Sequence, residues 1–282
     1  MSNHQKVLMN RKVGTMITRI ALIISLSCFC SFAENEFLND AIKDAISNRH
    51  IACVFVDCKS GKVITPDSIA SSIRYAPCST FKIWNTLIGV ECKIIDSANM
   101  HFYTWDSIPR FFSAWNRDLT LKEAFQASCV PAFQTLARKI GNERMEKWIA
   151  AINYGDKNIS SGIDDFWLPS EGKRSIEISP MEQAELIRKL VNNELPFSAE
   201  SQSILKEVMI SSKTSKGVCY GKTGSSKTNY KGIKNQSIGW FVGYITNNDR
   251  AYSFSCLIQG ENVSGKDSKG IIESILKRSG LL

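Results

Sequence analysis

The stretch from residue 79 to residue 92 constrains the fold most, because its apolar side chains cover most sides of a helix. A helix that is hydrophobic nearly all round must be buried inside the protein. Pro77 precedes it, and Ser79 and Lys82 open it three positions apart, a spacing that puts both side chains on one face. The sequence therefore predicts a central buried helix that starts with a serine–lysine pair. The apolar residues are Phe81, Ile83, Trp84, Leu87, Ile88 and Val90.

The serine–lysine pair has the chemistry of a nucleophile next to a base. Burial disfavours the ammonium form of Lys82, and a neutral lysine amine can accept a proton. The helix N-terminus adds N–H groups and a positive dipole end, which favour a developing oxyanion beside Ser79. The alternative is a helix cap with a lysine that extends its charge into solvent. Histidine chemistry has little support, because the chain has only His4, His50 and His101.

Two further tripeptides carry polar groups suited to such a site. Lys222-Thr223-Gly224 follows an apolar strand fragment, and it supplies a positive charge, a hydroxyl for a substrate carboxylate and a glycine that permits close backbone approach. Ser128-Cys129-Val130 offers a second serine that could relay a proton to a leaving nitrogen. Each tripeptide is a weak signal alone, and Lys-Thr-Gly by itself usually marks a turn.

Short apolar runs near both ends of the chain predict strands, whereas the middle has helical spacing. The economical solution is one sheet built from both chain ends, with the helical middle as a second lobe. We expect residues 34–78 and 211–282 to form an α/β domain and residues 79–210 a mainly helical lobe. The predicted strands are 51–56, 63–65, 218–220, 237–245 and 251–258, and the predicted helices are 79–92, 119–152, 182–193, 199–210 and 271–276.

The first 33 residues are typical of a secretory signal. Basic residues precede the apolar run 20–32, and Ser31-Phe32-Ala33 has small residues at the two cleavage positions. The run is too short for a comfortable membrane span, although an uncleaved N-terminal anchor is the alternative. The formal charge falls from +8 to +4 without this segment, because it contains four of the 35 basic residues and none of the 27 acidic ones. We expect an exported, periplasmic protein, cleaved near Ala33, that does not bind nucleic acid.

The cysteines do not predict a metal site or a disulfide framework. Of the nine cysteines, seven follow residue 33, and an odd number leaves at least one unpaired within a single chain. Several lie in apolar runs, where cysteine behaves as a small hydrophobic residue. No CxxC motif and no Cys/His cluster is present. We therefore expect no metal, and most of the cysteines in the core.

Taken together, these motifs resemble those of the class D, oxacillinase-type β-lactamases over essentially the whole mature chain. Ser-x-x-Lys combined with Lys-Thr-Gly is a signature of β-lactamases and penicillin-binding proteins. The order and spacing of all the matching segments are specific, although each one alone is not. The resemblance implies a serine β-lactamase fold with an antiparallel sheet, flanking helices and an inserted helical domain. The segments are 79–82, 115–118, 128–130, 134–141, 154–155, 166–168, 178–180 and 222–224.

The resemblance implies that Lys82 reacts with carbon dioxide to form an N-carboxylate, so that CO2 or bicarbonate is required but no other cofactor. The modified lysine would take the Ser79 proton and later activate the water that releases the acyl-enzyme. Trp167 would hydrogen-bond the carboxylate, and Val130 would line the apolar pocket around it. The N–H groups of Ser79 and Ser225 would form the oxyanion hole.

The resemblance also implies how substrate is held. Ser128 and Lys222 would move protons, and Lys222-Thr223-Gly224 would bind the substrate carboxylate. The family's substrate-binding arginine has no clear equivalent here. Lys269 is the best match and Lys266 is the alternative, and a lysine gives a point charge instead of a two-pronged grip.

Three positions depart from the family pattern. Asp156 follows Tyr154-Gly155 where asparagine is usual, and its carboxylate either alters the charge of the site or faces water. Pro131 replaces a common bulky aromatic after Ser-x-Val. Ser225-Ser226 follows Lys-Thr-Gly where many relatives are bulkier, which would widen the mouth of the pocket.

The sequence therefore predicts hydrolysis of β-lactam antibiotics, penicillins at least. One alternative is a β-lactam sensor domain, which shares the fold but stays acylated. Such domains normally follow membrane spans and a metalloprotease segment, and this chain has no HExxH motif. The other is a penicillin-binding transpeptidase or carboxypeptidase, which the segment around Trp167 disfavours. Substrate spectrum and the choice between monomer and homodimer stay open.

Overall fold

The computed structural model of the chain describes residues 38–46, 50–169, 172–226, 230–248 and 250–282. The predicted export signal, residues 1–33 with its cleavage position, lies outside these ranges. Within them, no helix combines the length and the apolar character needed to cross a bilayer.

A six-stranded antiparallel sheet forms the centre of the fold, in the strand order β2-β1-β8-β7-β6-β5. The strands come from both ends of the chain, as the apolar runs predict, because each run supplies side chains for a sheet face that is covered by helices. A separate two-stranded sheet pairs β3 with β4. The strands are β1 (Ile51–Asp57), β2 (Val63–Ile64), β3 (His101–Tyr103), β4 (Leu119–Thr120), β5 (Ile210–Lys213), β6 (Val218–Ser225), β7 (Gln236–Asn247) and β8 (Arg250–Glu261).

Helices occupy the predicted segments, of which 119–152 divides into three, whereas α1 and α2 were not predicted and α9 begins before the predicted 271–276. A 3-10 turn, Cys78–Phe81, leads directly into α3, and others cover Ser113–Trp115 and, with a kink, Tyr230–Gly232. The α-helices are α1 (38–46), α2 (Ser68–Ser72), α3 (Lys82–Glu91), α4 (Leu121–Gln126), α5 (Val130–Ile140), α6 (Asn142–Ala151), α7 (Pro180–Val191), α8 (Ala199–Met209) and α9 (Gly265–Arg278).

Side-chain alternation along β1 shows how the sheet separates two layers of helices. Cys53 and Phe55 point into the core that contains α1 and α9, whereas Val54 and Val56 pack against Ala184 of α7 on the other face. The helix α7 is within the range 79–210 assigned to the helical lobe, yet it packs on the sheet. The division into two domains stays a proposal.

The predicted burial of α3 is confirmed, since every residue from Lys82 to Val90 is buried. Two hydrogen bonds fix the segment before α3, one to strand β7 and one to the 3-10 turn between β6 and β7. Trp240 Nε1 donates to the Ala76 carbonyl at 2.9 Å, and the Ala76 N–H donates to the Tyr230 hydroxyl at 2.9 Å. The start of α3 therefore has a defined position relative to β6 and β7.

Candidate active site

Ser79 lies in the 3-10 turn that leads into α3. Its side chain is partly exposed to solvent, whereas the adjacent residues Cys78 and Thr80 are buried. Lys82 Nζ donates to Ser79 Oγ at 2.9 Å. Ser79 is half-buried, whereas Lys82 is completely inaccessible to solvent. The structure therefore brings the two predicted residues into direct contact, one at the surface of the core and one inside it.

Lys82 is completely buried, which is unusual for a lysine side chain. Burial lowers the pKa of Lys82 from 10.5 to about 7, although negative charge on the nearby thiols of Cys129 and Cys78 would act in the opposite direction. Its Nζ also lies 5.3 Å from the centre of the Phe133 ring. At neutral pH a large fraction of this amine is uncharged, and an uncharged amine can accept the Ser79 proton.

A second lysine links the sheet to the helical region. Lys222 Nζ on β6 donates to Ser128 Oγ at 3.1 Å and to the Thr223 carbonyl at 2.9 Å. Burial, together with the charge of Lys82, holds the pKa of Lys222 well below its usual range. Ser128 occupies the turn between α4 and α5 with a φ of 55°. The Ser128 hydroxyl and the Lys222 amine thus form a short path for a proton.

The end of β6 lies directly against the nucleophile turn. A Cβ atom on Gly224 would lie 3.0 Å from the Pro77 carbonyl oxygen and 3.2 Å from the Ser79 nitrogen, so this glycine permits an approach that a larger residue would obstruct. The Ser226 N–H bonds the Ile238 carbonyl of β7 at 3.0 Å. Strand alternation then directs the preceding N–H, that of Ser225, away from β7 and toward the free edge of β6.

The Ser225 side chain has a separate partner, because its Oγ accepts a hydrogen bond from the Gly265 N–H at 2.9 Å. This contact fixes the first residue of α9 against the Lys-Thr-Gly strand. A Cβ atom on Gly265 would lie 2.7 Å from the Gly224 carbonyl oxygen and 2.8 Å from Thr223 Cβ. The turn that carries Ser79, the strand β6 that carries Lys222 and Ser225, and the start of α9 are therefore closely packed.

Trp167 is fully buried and stacks on Phe81 with ring centres 5.9 Å apart and planes 18° apart. Its Nε1 is buried and has no hydrogen-bond partner within the described ranges. Such an unpaired donor is costly, so it fits an acceptor that is acquired later, such as a carboxylate. Val130 is the first residue of α5 and is half-buried.

The structure separates the two lysines that could replace the family arginine. Lys269 lines a cavity of about 300 Å³ together with Lys222 and Thr223. Lys266 lines a different cavity, next to Asp44. The Lys269 ammonium also lies 3.7 Å from a Glu273 carboxylate oxygen, so part of its charge is already offset.

Asp156 has neither of the two roles that its departure from the family pattern left open. Its Oδ1 accepts the Glu177 N–H at 3.1 Å and the Asn158 N–H at 3.2 Å, and its Oδ2 lies 3.3 Å from Arg174 Nη2. These contacts fix the backbone of residues 156–158 to residues 174–177. The carboxylate therefore organises the segment that follows Trp167.

Sequence reasoning missed a buried polar contact beneath Ser79. Gln183 Nε2 on α7 donates to Thr80 Oγ1 at 3.1 Å, and Thr80 Oγ1 in turn donates to the Pro77 carbonyl at 2.7 Å. About a hundred residues separate the two side chains, and although Thr80 lies inside the Ser-x-x-Lys motif, Gln183 belongs to no recognisable motif. Within the ranges that the structure describes, no group of three His, Cys, Asp or Glu side chains could hold a metal ion.

We expect Lys82→Met to remove the penalty of burying an amine. Between pH 7 and pH 10.5 the unfolded chain binds a proton that the folded chain lacks, so the amine makes stability rise with pH across this window. The variant should lose that rise and should be more stable below pH 7 by about 3–5 kcal/mol. Denaturant titrations in CO2-free buffer measure both effects.

Lys139→Met, on the exposed side of α5, is the matched control for this comparison. It should follow the unmodified protein at every pH. If Lys82→Met kept the same dependence of unfolding free energy on pH as the unmodified protein, Lys82 would not be a buried, neutral amine.

The chain matches known proteins over most of its length. Residues 51–277 match the family "Penicillin binding protein transpeptidase domain". The chain is 36% identical to β-lactamase OXA-10 of Pseudomonas aeruginosa, over 93% of this chain and 96% of the relative. It is 40% identical to a probable β-lactamase, YbxI, of Bacillus subtilis, over 74% of this chain and 73% of the relative.

The fold also matches solved structures. The class D β-lactamase FUS-1 (OXA-85) of Fusobacterium nucleatum subsp. polymorphum superimposes with a TM-score of 0.78 at 33% identity, covering 86% of this chain and 98% of that one. The C-terminal domain of the Bacillus licheniformis BlaR penicillin-receptor gives 0.76 at 29% identity, over 86% and 95% of the two chains. On the strength of the family match and the relatives above 30% identity, the chain belongs to the class D β-lactamases, serine hydrolases of the penicillin-binding transpeptidase family.

Proposed function

We propose that this protein hydrolyses β-lactam antibiotics, penicillins at least, through an acyl-enzyme on Ser79 and with N-carboxylated Lys82 as the general base. The observation that carries the proposal is the contact of 2.9 Å between Ser79 Oγ and a completely buried lysine amine whose pKa is about 7. A hydroxyl needs a neighbouring base to act as a nucleophile at neutral pH, and Lys82 is placed to provide it.

In acylation, Ser79 Oγ attacks the lactam carbonyl carbon and gives its proton to the Lys82 side chain. The negative charge that develops on the carbonyl oxygen is stabilised by the Ser79 and Ser225 N–H groups, which belong to segments in backbone contact. The C–N bond of the ring then breaks. The leaving nitrogen takes a proton from Ser128, which Lys222 replenishes across the 3.1 Å contact.

Carboxylation of Lys82 follows from the same burial. Only a neutral amine attacks CO2, and desolvation keeps this amine neutral at a pH where an exposed lysine is charged. When present, the carboxylate supplies the base for both acylation and deacylation. The unpaired Trp167 Nε1 is available to donate to it, and the half-buried Val130 would shield it from water.

The carboxylate group of the substrate would be bound by positive charge at the end of β6. Lys222 and Thr223 line the same cavity as Lys269, which makes Lys269 the better candidate for the role of the family arginine. Lys266 opens into another cavity and would contribute little. Because the Glu273 carboxylate lies 3.7 Å from the Lys269 ammonium and screens its charge, Lys269 would bind the substrate carboxylate weakly.

The similarity to a penicillin-receptor domain favours one second candidate, a sensor that remains acylated. The two functions differ only in deacylation, which needs a base that survives acylation. We further propose that the protein is exported to the periplasm after cleavage near Ala33, since the basic and apolar pattern of residues 1–33 is that of a secretory signal.

We expect the purified protein to hydrolyse a penicillin through many turnovers, with bicarbonate reactivating any fraction that has lost the carboxylate. Mass spectrometry of the trapped adduct over time should place the acyl group on Ser79 and show that it disappears. Lys82→Ala should deacylate about 10²–10⁴-fold more slowly while its circular dichroism stays native. Lys139→Ala controls for the loss of a lysine.

Two outcomes would count against hydrolysis by this mechanism. Stoichiometric acylation with no turnover, even in bicarbonate, would identify a sensor. A normal steady-state rate in Lys82→Ala would show that another group is the base.

Substitution of the two C-terminal lysines tests the carboxylate-binding proposal. Lys269→Gln should raise KM for a penicillin by roughly two- to fivefold with a smaller change in kcat, because it removes one partly screened charge from the cavity that Lys222 and Thr223 also line. Lys266→Gln is the matched control and should leave KM unchanged. The assignment is wrong if Lys266→Gln has the larger effect on KM or if neither variant changes it.

A further inference from the structure

Two cysteines lie opposite each other on adjacent strands of the central sheet. Cys53 on β1 and Cys256 on β8 are partners in the strand register. Both side chains are completely buried, and both belong to the core between the sheet and α9. Among the strand pairs of the described residues, this register is the one that sets two cysteines opposite each other.

The hydrogen bonds of the same ladder establish which kind of pair this is. The Gln259 N–H bonds the His50 carbonyl at 3.0 Å, and the Cys58 N–H bonds the Ala251 carbonyl at 2.9 Å. These bonds occur at even-numbered positions of the β1 segment, and the register has no shift between them. Alternation therefore makes Cys53 and Cys256 a non-hydrogen-bonded pair.

Side chains approach most closely at such positions. Non-hydrogen-bonded partners have Cα atoms about 4.5 Å apart, within the range of about 4.4–6.8 Å that a disulfide spans. The neighbouring Cys256 thiol, together with burial, raises the pKa of the Cys53 thiol well above its usual value. The next pair on this face is Phe55 and Phe254, with rings 5.8 Å apart, so the surroundings offer the thiols little besides each other.

We propose that Cys53 and Cys256 are a disulfide site that joins β1 to the adjacent strand β8, the first and last strands of the sheet in chain order. The bond forms by thiol–disulfide exchange with a disulfide-bearing oxidant, such as oxidised glutathione or a thiol oxidoreductase. The two thiols lose two protons and two electrons to form one S–S bond, and the disulfide of the oxidant is reduced to two thiols. The proposal is independent of the catalytic mechanism.

The position of the pair determines when the bond forms and what it does. Because neither sulfur is accessible in the folded protein, exchange takes place during folding, before α9 covers the sheet. The bond would link residues near the two ends of the sheet-forming chain, and long closed loops restrict the unfolded chain most. It therefore stabilises the frame on which Ser79 and Lys222 are held.

Peptide mapping after refolding tests the site on the unmodified chain. The protein is unfolded, refolded with reduced and oxidised glutathione, and alkylated with N-ethylmaleimide in guanidinium without further reduction. We expect a Cys53–Cys256 linked peptide, and alkylation of both residues only after reduction. Complete alkylation of the two residues before reduction, or linkage of either to another cysteine, would overturn the proposal.

Thermal unfolding tests the consequence of the bond. The oxidised protein should melt roughly 5–15 °C above the reduced protein. Cys53→Ala should abolish this difference, whereas Cys219→Ala, which changes a buried cysteine of the same core opposite Ile245, should retain it. An undiminished difference in Cys53→Ala would refute the assignment, and the peptide map decides the matter if that variant does not fold.

Discussion

The chemistry of this protein depends on the removal of one lysine amine from water. Lys82 is completely buried beside the Phe133 ring of α5, and no hydration shell offsets the cost of a charge there. The group responds by losing its proton at a pH near 7. In the proposed mechanism the same burial makes the amine a base toward Ser79 and a nucleophile toward CO2, so one physical constraint accounts for both proposed properties.

The fold supplies this enclosure by bringing distant segments together. The turn that carries Ser79 is fixed to the sheet through Ala76, and β6 approaches it closely because position 224 is a glycine. Lys222 crosses from the sheet to Ser128 in the turn before α5. The site thus lies where the sheet meets the helices, and a shift of either part would separate the reacting groups.

The burial of α3 and the positions of the strands could be predicted from local sequence. The contacts that complete the site could not, because they join residues far apart in the chain. Burial of α3 is predictable because its apolar residues leave no solvent-facing side. The strands near both ends are predictable from their β-branched runs, although β6 extends through Ser225, beyond the short apolar run that marks its start. The resemblance to class D enzymes implies a role for Trp167 that stays a prediction, since composition alone would place this residue simply in a core.

Other features depend on tertiary packing. Gln183 and Thr80 meet only because α7 packs on the sheet beneath the nucleophile turn. Asp156 could not be assigned before Arg174 and the Glu177 N–H were placed beside it. The proposed preference for Lys269 over Lys266 rests on which cavity each residue of α9 lines, and local sequence does not reveal this.

Carbon-13 NMR in labelled bicarbonate tests the central claim most directly. The active protein should show one carbamate resonance that is absent from Lys82→Met, and its intensity should fall together with the turnover rate as bicarbonate is withdrawn. Full-speed turnover of a penicillin by protein that shows no carbamate resonance would contradict the account.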